Sequence, residues 1–375
     1  MYKKLRIAIV GCGGMGSGHA AAIASGSGRA IWQAKNIDEC RMPQDADTTD
    51  ISSMLELAGV YDTDPEQNAW AARMGFFVYD SFEAELADQS VDIILIATPN
   101  NLHKNMAIAA MRAGKHVLCE KPVTISSVDL SEILQIALET GRVFYPRQNR
   151  RWDKDFLCAK KIYDEKRVGD IFNIECRIMG SRGIPGDWRA VKAYGGGMLL
   201  DWGVHLIDRL LTMVTEPVRY VYCRQTFITN KECDDGFKMH IVFHSGLTAS
   251  LEVGTCHFIK HPIWYLAGTE GTAVIEDWNC NGRIVRPIKW EDRDAKPIMA
   301  GEGLTKTMAP RSRDTIEELQ LPKPCYDSNA LYANLARTIW GEAEQIITGE
   351  QAMRVMRLME AATRSSETNA VVPFE

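Results

Sequence analysis

Two short segments carry an acid, a base and an imidazole at spacings that suit proton transfer to or from a hydroxyl. In Ala113-Gly114-Lys115-His116-Val117-Leu118-Cys119-Glu120-Lys121-Pro122, a carboxylate and an ammonium group follow an apolar run that reads as a strand. The proline biases Lys121 away from the helical region and holds it extended. Beside a positive ligand and partly desolvated, such a lysine has a lowered pKa and can polarise or deprotonate a hydroxyl. Spacing alone leaves a surface Glu-Lys ion pair open. Further on comes Gly195-Gly196-Gly197-Met198-Leu199-Leu200-Asp201-Trp202-Gly203-Val204-His205-Leu206-Ile207-Asp208, which reads as a helix from Met198 onward. Asp201 and His205 then share one face, with Asp208 close to it. A carboxylate one turn before a histidine can orient the ring, raise its basicity or bind a hydroxyl of its own. A buried, locally satisfied Asp-His pair is the alternative. The three glycines let the helix start lie flush against a ligand.

A third segment supplies a binding site rather than a proton. Ile7-Ala8-Ile9-Val10-Gly11-Cys12-Gly13-Gly14-Met15-Gly16 is a β-branched strand leading into a G-x-G-x-x-G turn and a helix. Gly11 permits the tight turn, Gly13 lets backbone approach a pyrophosphate, and Gly16 lets helix and strand pack closely. The diphosphate sits on the helix N-terminus, where unpaired N–H groups and the positive dipole end favour an anion. Asp62 follows the next apolar strand, and a carboxylate there can accept both ribose hydroxyls of NAD while repelling the 2′-phosphate of NADP. The cofactor expected is therefore NAD. Asp62 as a simple helix cap is the alternative, and Asp64 before Pro65 competes for that task.

These groups need a scaffold, and the chain alternates strand-like and helical runs through its first 145 residues. The strand-like runs are Arg6 to Val10, Leu55 to Tyr61, Gly75 to Tyr79, Val91 to Ala97, His116 to Glu120 and Arg142 to Pro146. This alternation predicts an α/β fold whose first part is a doubly wound parallel Rossmann sheet. Thr98-Pro99-Asn100-Asn101 falls in a loop at the carboxyl edge of that sheet, where ligands collect. Beyond residue 149 longer, aromatic-rich strands take over: Ile171 to Ile178, Arg219 to Ile228, Phe237 to His244, Thr248 to Thr255 and Thr272 to Asp277. They predict an α+β second part with a large, mostly antiparallel open sheet and helices on one face. His244-Ser245-Gly246-Leu247 reads as a hairpin turn. Helices are expected over Ser328 to Thr348 and Gly349 to Asn369. The expected division is 1–148 for cofactor binding and 149–375 for substrate binding and oligomerisation.

Asp62 lies far beyond the usual interval of about 20 residues after the glycines, which implies an insertion over residues 26–53 containing Trp32, Cys40 and Pro43. It reads as a surface excursion or as a flap near the adenosine end. The stretch from Asp292 to Arg313 reads as an exposed loop.

With 375 residues, 46% hydrophobic and 25% charged, the composition suits a globular enzyme with more than one core. A net charge of −6 argues against a nucleic-acid surface. No apolar stretch approaches the 18 or so residues of a membrane span. The ten cysteines show no C-x-x-C pair or framework spacing, so reduced thiols in a cytoplasmic setting are expected. Cys256-His257 with His261 lacks a complementary ligand cluster, and no metal is expected.

The glycine turn, Ala97-Thr98-Pro99-Asn100-Asn101-Leu102-His103, Ala113-Gly114-Lys115-His116-Val117, Glu120-Lys121-Pro122 and the stretch from Gly195 through Asp201 to His205 occur in this order and spacing in a known family. The chain resembles the Gfo/Idh/MocA oxidoreductases, typified by glucose-fructose oxidoreductase and inositol dehydrogenase. The match runs essentially over the whole chain, down to Ala370-Val371-Val372-Pro373. The resemblance implies an N-terminal Rossmann domain, a C-terminal domain whose open sheet forms homo-oligomer contacts, and Lys121, Asp201 and His205 as the catalytic set. The cofactor contacts expected are Gly11, Gly13, Gly14, Met15, Gly16, Asp62, Thr98, Pro99, Asn100, His103, Glu120 and Lys121. The insertion departs from simpler members and leaves the adenosine side less defined.

The reaction expected is oxidation of a secondary hydroxyl of a sugar, glycoside or cyclitol, with hydride passing to NAD+. His205 removes the hydroxyl proton and Lys121 steadies the developing alkoxide. Asp201 orients His205 or holds a neighbouring hydroxyl. Arg147, Arg151, Trp152, Trp188, Arg189 and Tyr194 are substrate-side candidates, with packing or surface roles as the alternative. Trp188-Arg189 suits a glycoside with a bulky aglycone, oxidised at C3. Two other readings stay open: a redox-neutral glycosidase that retains NAD, and a non-catalytic NAD-binding sensor or scaffold.

Overall fold

The computed structural model describes residues 2–26, 49–289 and 311–375. Five strands, β1 (Leu5–Val10), β2 (Leu55–Tyr61), β3 (Ile93–Ile96), β4 (His116–Cys119) and β5 (Phe144–Pro146), form a sheet in the order β2-β1-β3-β4-β5. Every neighbouring pair in it is parallel. All four side chains of β3 are fully buried, which is why its sequence is continuously apolar rather than alternating. Crossovers run through α1 (Gly14–Ser25), α2 (Pro65–Arg73), α3 (Phe82–Ala87), α4 (His103–Arg112) and α5 (Ser127–Thr140). Strand order reverses between β1 and β3, and the crevice outside their carboxyl ends is where open α/β sheets bind ligands.

The strand expected from Gly75 to Tyr79 reduces to one parallel bridge, Val60 to Val78. Phe76 N–H is spent closing the end of α2 on Ala71 O (3.0 Å), and Ser81 already caps α3. Too little backbone is left between them for a ladder.

The second sheet follows α6 (Lys154–Asp164). It contains β6 (Ile171–Met179), β7 (Val218–Thr226), β8 (Gly236–Phe243), β9 (Thr248–Gly254), β10 (Trp264–Gly268), β11 (Gly271–Ile275), β12 (Gly282–Pro287), β13 (Ile316–Leu319) and β14 (Val372–Pro373). Their order is β13-β12-β11-β10-β6-β9-β8-β7-β14. The β6–β9 pair is parallel and the other described pairs are antiparallel. Along β7, Val218, Val221 and Cys223 are buried while Arg219, Tyr222 and Arg224 are exposed, as a sheet covered on one face requires. The turn after β8 closes with Phe243 N–H on Leu247 O (2.9 Å), a hairpin as expected.

Two corrections concern helices. The segment after Met198 is not α-helical from its start: Leu199–Gly203 is a π-helical turn, and α7 spans Val204–Met213. The helix expected over Ser328 to Thr348 is shorter, α8 (Ala330–Trp340), because Gly341 ends it in the left-handed region at φ 74°. Buried residues of α8 pack into the same cluster as Ile7 and Ile9 of β1. The closing helix α9 (Gly349–Thr368) opens with a capping box between Thr348 and Gln351.

Residues 27–48 of the inferred insertion lie outside the described residues, as does most of the stretch from Asp292 to Arg313. The flanks of the insertion are held together. Asn329 Nδ2 donates to Gly26 O (3.2 Å) and Thr49 O (2.6 Å), and Thr49 N–H donates to Asp327 (3.0 Å).

One buried group works against the fold. Glu85 in α3 is fully buried, neither carboxyl oxygen has a partner, and burial pushes its pKa up to about 9. Above pH 4.5 the unfolded chain releases that proton while the folded chain keeps it, so stability falls as pH rises from there toward 9. Glu85→Gln removes the titration. Urea midpoints at pH 5 and pH 8 should show the variant gaining on the wild type with rising pH, by roughly 1–3 kcal/mol at the upper value. A pH-independent difference would refute the burial argument.

Candidate active site

The glycine turn has the shape of an anion cradle. Gly11 is at φ +89°, and a Cβ on it would lie 2.7 Å from Ala97 backbone, while a Cβ on Gly16 would lie 1.7 Å from Gly11 O. Side chains at Gly13 and Gly14 would instead point into open space. α1 has no side-chain cap and no acid in its first turn, so its N–H groups and dipole face that space unopposed. Met15 is half-buried in that first turn. Asp62 Oδ2 accepts from Cys12 N–H (2.6 Å), which sets the carboxylate against the turn. Asp64 caps α2 by accepting from Glu66 N–H, so the capping alternative belongs to Asp64 and leaves Asp62 for another task.

Beneath this edge lies a closed ring of buried polar groups. Arg147 NH1 donates to Glu120 Oε1 (2.7 Å) and also bonds Tyr332. Burial, then Arg147, lowers His19 to about 4 and keeps its ring neutral. In that state Nε2–H donates to Glu120 Oε1 (2.8 Å) and Nδ1 accepts from the Tyr332 hydroxyl. Burial alone would raise Glu120, but Arg147, His19 and Lys121 overturn it and hold the carboxyl well below its ordinary range. Glu120 Oε2 accepts Lys121 N–H (3.1 Å), so the ring fixes the backbone that presents Lys121.

From there the lysine reaches the other half of the fold. Lys121 Nζ donates to Asp201 Oδ1 (2.7 Å) and to Asp201 O (3.0 Å), and Arg189 Nε lies 3.3 Å from Asp201 Oδ2. Burial raises the Asp201 carboxyl, but Lys121 and Arg189 outweigh it and hold the group below its ordinary value. Of the two tasks expected for Asp201, orienting His205 or holding a neighbouring hydroxyl, the described hydrogen bonds show no direct bond to His205: the carboxylate meets Lys121 and Arg189. His205 is buried, and its Nδ1 has no partner. Burial first, then the charges of Lys121, Arg150, Arg209 and Arg147, lower its pKa well below 6.5. The imidazole is therefore neutral and able to accept a proton.

The remaining expected residues sort by what they touch. Asn100 Nδ2 donates to Gly195 O (2.9 Å) and ties the first sheet's edge to the triple glycine. Both His103 nitrogens face carbonyls, Pro122 O and Thr98 O at 2.9 Å, so its ring staples two loops together and does not point at a ligand. Thr98 and Pro99 lie half-buried on the loop between. Arg147, expected on the substrate side, is instead committed beneath the site to Glu120. Arg151 pairs with Asp208 through two bonds of 2.8 and 2.6 Å, which commits both side chains to each other. Trp152 packs against the cluster that holds Ile7 and Ile9 of β1. Tyr194 is exposed, and Trp188 lies under the Arg189 guanidinium at 4.5 Å. Sequence reasoning missed His19 and Tyr332, and also an aromatic wall beside His205. Trp202 meets the His205 ring edge-on at 6.0 Å, and Arg150 sits over both Trp202 (4.4 Å) and Trp278 (5.2 Å). Trp202 stood inside the motif already singled out, whereas nothing local marks Trp278. Among the described residues no group of three His, Cys, Asp or Glu could hold a metal ion, and no helix is long and apolar enough to cross a membrane.

A Rossmann cradle with an acid at the end of its second strand, beside a second large sheet, is the arrangement of a dinucleotide-binding protein. Residues 5–148 match the oxidoreductase family with NAD-binding Rossmann fold, and residues 156–274 match the GFO/IDH/MocA C-terminal domain. The chain belongs to the Gfo/Idh/MocA family. It is 42% identical to an NAD-binding protein of Listeria innocua, whose solved structure superposes with a TM-score of 0.83 over 99% of this chain and 97% of that one. An uncharacterized oxidoreductase of Schizosaccharomyces pombe is 36% identical over 156 residues, 41% of this chain and 42% of its own length. The chain thus spans less than half the length of that curated relative. The scyllo-inositol 2-dehydrogenase (NADP(+)) IolW of Bacillus subtilis is 27% identical over 77% of this chain and 80% of its own.

Arg147→Met should strand the Glu120 carboxylate and cost about 3–5 kcal/mol in a urea unfolding series. Adding Glu120→Gln to that variant should recover much of the loss. A double variant as unstable as the sum of its parts would show the two groups are not a pair.

Proposed function

We propose that the protein oxidises a secondary hydroxyl of a sugar, glycoside or cyclitol, with Lys121, Asp201 and His205 as the reacting set. The observation that carries this reading is the 2.7 Å contact of Lys121 Nζ with Asp201 Oδ1, made on the turn that leads into His205. The glycine turn, Met15, Asp62 and the Thr98–Asn100 loop would hold NAD, with Glu120 and Lys121 at the reactive end. NAD bound there supplies the hydride acceptor.

Within the site, His205 takes the hydroxyl proton. Nδ1 is the ring nitrogen sealed from solvent, which leaves Nε2 as the atom a hydroxyl reaches. Lys121 Nζ donates to the oxygen as negative charge develops on it. Asp201 and Arg189 offer an acceptor and a donor to neighbouring hydroxyls, and a polyol satisfies both, whereas an apolar alcohol leaves them unpaired. The inositol named for the Bacillus relative supports the cyclitol option. The aromatic wall of Trp202 and Trp278 suits the C–H face of a ring and favours a glycoside carrying a second ring. Exposed Phe172, Tyr222 and Tyr265 on the strands of the second sheet support its use between copies of the chain.

Incubation with NAD+ and a panel of polyols, glycosides and cyclitols should yield NADH and a product lighter by two hydrogens. Release of an aglycone without NADH would replace this reading with the redox-neutral glycosidase. Lys121→Ala and His205→Ala should each lower turnover by at least about 10²-fold, and near-normal turnover in both rejects the assignment. Because the neutral His205 is needed and its pKa is depressed, kcat/KM should hold steady from pH 8 down to 6 and fall only below that. Asp62→Asn should weaken NAD binding by about tenfold and narrow the preference over NADP, read by cofactor fluorescence titration.

A further inference from the structure

We propose that Asp234 is the positioning residue for the turn that carries Asp201 and leads into His205. The inference rests on the catalytic reading of those residues given above. The π-helical turn Leu199–Gly203 has no side-chain cap of its own, since Met198 stands at its start. Its leading N–H groups go instead to a residue distant in sequence. Met198 N–H donates to Asp234 O (2.9 Å), and Leu199 N–H donates to Asp234 Oδ2 (2.8 Å). The other carboxyl oxygen fills the space beside Gly197, where a Cβ would lie 2.3 Å from Asp234 Oδ1.

Gly197 is held from every direction. Its φ of +106° is one that residues with a Cβ rarely adopt. Its N–H donates to Arg189 O (3.0 Å), and its carbonyl accepts from Asp201 N–H (3.0 Å). Asp234 thus presses on the peptide that directly anchors Asp201. The geometry of the turn makes that anchor consequential. Asp201 N–H closes an α-spaced bond on Gly197 O, and the wider π pitch after it sets how His205 is disposed relative to Asp201, so shifting the start of the turn would move Asp201 against Lys121. Lys121 bonds both the carbonyl and the carboxylate of Asp201, so both contacts depend on this register.

Asp234 does not itself approach the reacting groups. It is 6% exposed and lies in a cleft of about 720 Å³ between the turn and α9, whose lining includes none of Lys121, Asp201 and His205. Burial pushes its carboxyl up to about 7, against the pull of the Leu199 N–H. A neutral amide is therefore a close substitute that keeps an oxygen for Leu199, whereas leucine keeps none.

The test compares Asp234→Asn, Asp234→Leu and Gly197→Ala in the full chain saturated with NAD. The first readout needs no substrate: amide hydrogen exchange in peptides covering residues 197–203. Asp234→Leu should speed that exchange by at least about tenfold and leave the peptides of β1 to β5 unchanged. Gly197→Ala should do the same by displacing the carboxyl, and Asp234→Asn should restore the wild-type rate. The second readout is turnover. It should fall by about 10²-fold in Asp234→Leu with NAD affinity within about threefold, and recover in Asp234→Asn. Wild-type exchange at 197–203 in both Asp234→Leu and Gly197→Ala overturns the proposal. So does an Asp234→Asn variant as impaired as Asp234→Leu, since packing or charge rather than the acceptor would then be at work. Faster local exchange supports the anchor whatever the reaction. If turnover stayed intact alongside it, the fault would lie with Asp201 and His205 as the reacting set.

Discussion

The ammonium of Lys121 and the carboxylate of Asp201, 2.7 Å apart, join two sheets that otherwise grow from unrelated parts of the chain. An exposed pair of this kind contributes little, but these side chains are only 17% and 12% exposed. Each is also anchored from behind: Lys121 through the Glu120 carboxyl that takes its N–H, Asp201 through Arg189 and the Gly197 carbonyl. The contact therefore marks where the two halves of the site meet, at the ordinary length of a charge-assisted hydrogen bond.

The electrostatic character of the site follows from that meeting. Buried carboxylates at Glu120 and Asp201 stay ionised because guanidinium and ammonium groups outweigh their desolvation. Burial first, and then Lys121 and Arg147 together with Arg150 and Arg209, drives His205 toward its neutral form. One cluster thus keeps its acids charged and its imidazole uncharged, the pairing of states that hydroxyl deprotonation at neutral pH demands. The stack of Arg150 on Trp202 and Trp278 adds positive charge beside His205 without offering it a hydrogen-bond acceptor.

The fold was largely legible because its signals are local. A continuous apolar run at Ile93–Ile96, glycines where no Cβ fits, and alternation along Val218–Thr226 each reflect backbone or burial constraints acting within a few residues. The grouping of Lys121 with Asp201 was legible only through the resemblance, as neither residue carries a local mark of the other. What escaped were features decided by distant packing. A π turn has no compositional signature, so the i, i+4 spacing placed Asp201 and His205 on one face of a regular helix, where the chain instead makes a π-helical turn. Arg147 looked available to a substrate because its partners Glu120 and Tyr332 come from other elements. The single bridge at Val78 shows the same limit, since the end of α2 and the start of α3 leave few residues between them for a strand.

The clamp at Asn329 bears on how this fold can vary. One side-chain amide grips both Gly26 and Thr49, so whatever lies between them departs and returns through a single pinched neck. A longer or shorter intervening peptide would begin and end at the same two clamped residues. The extra loop-closure entropy grows only slowly with length. The neck is a natural grafting point, where one peptide can be exchanged for another between the same two clamped residues.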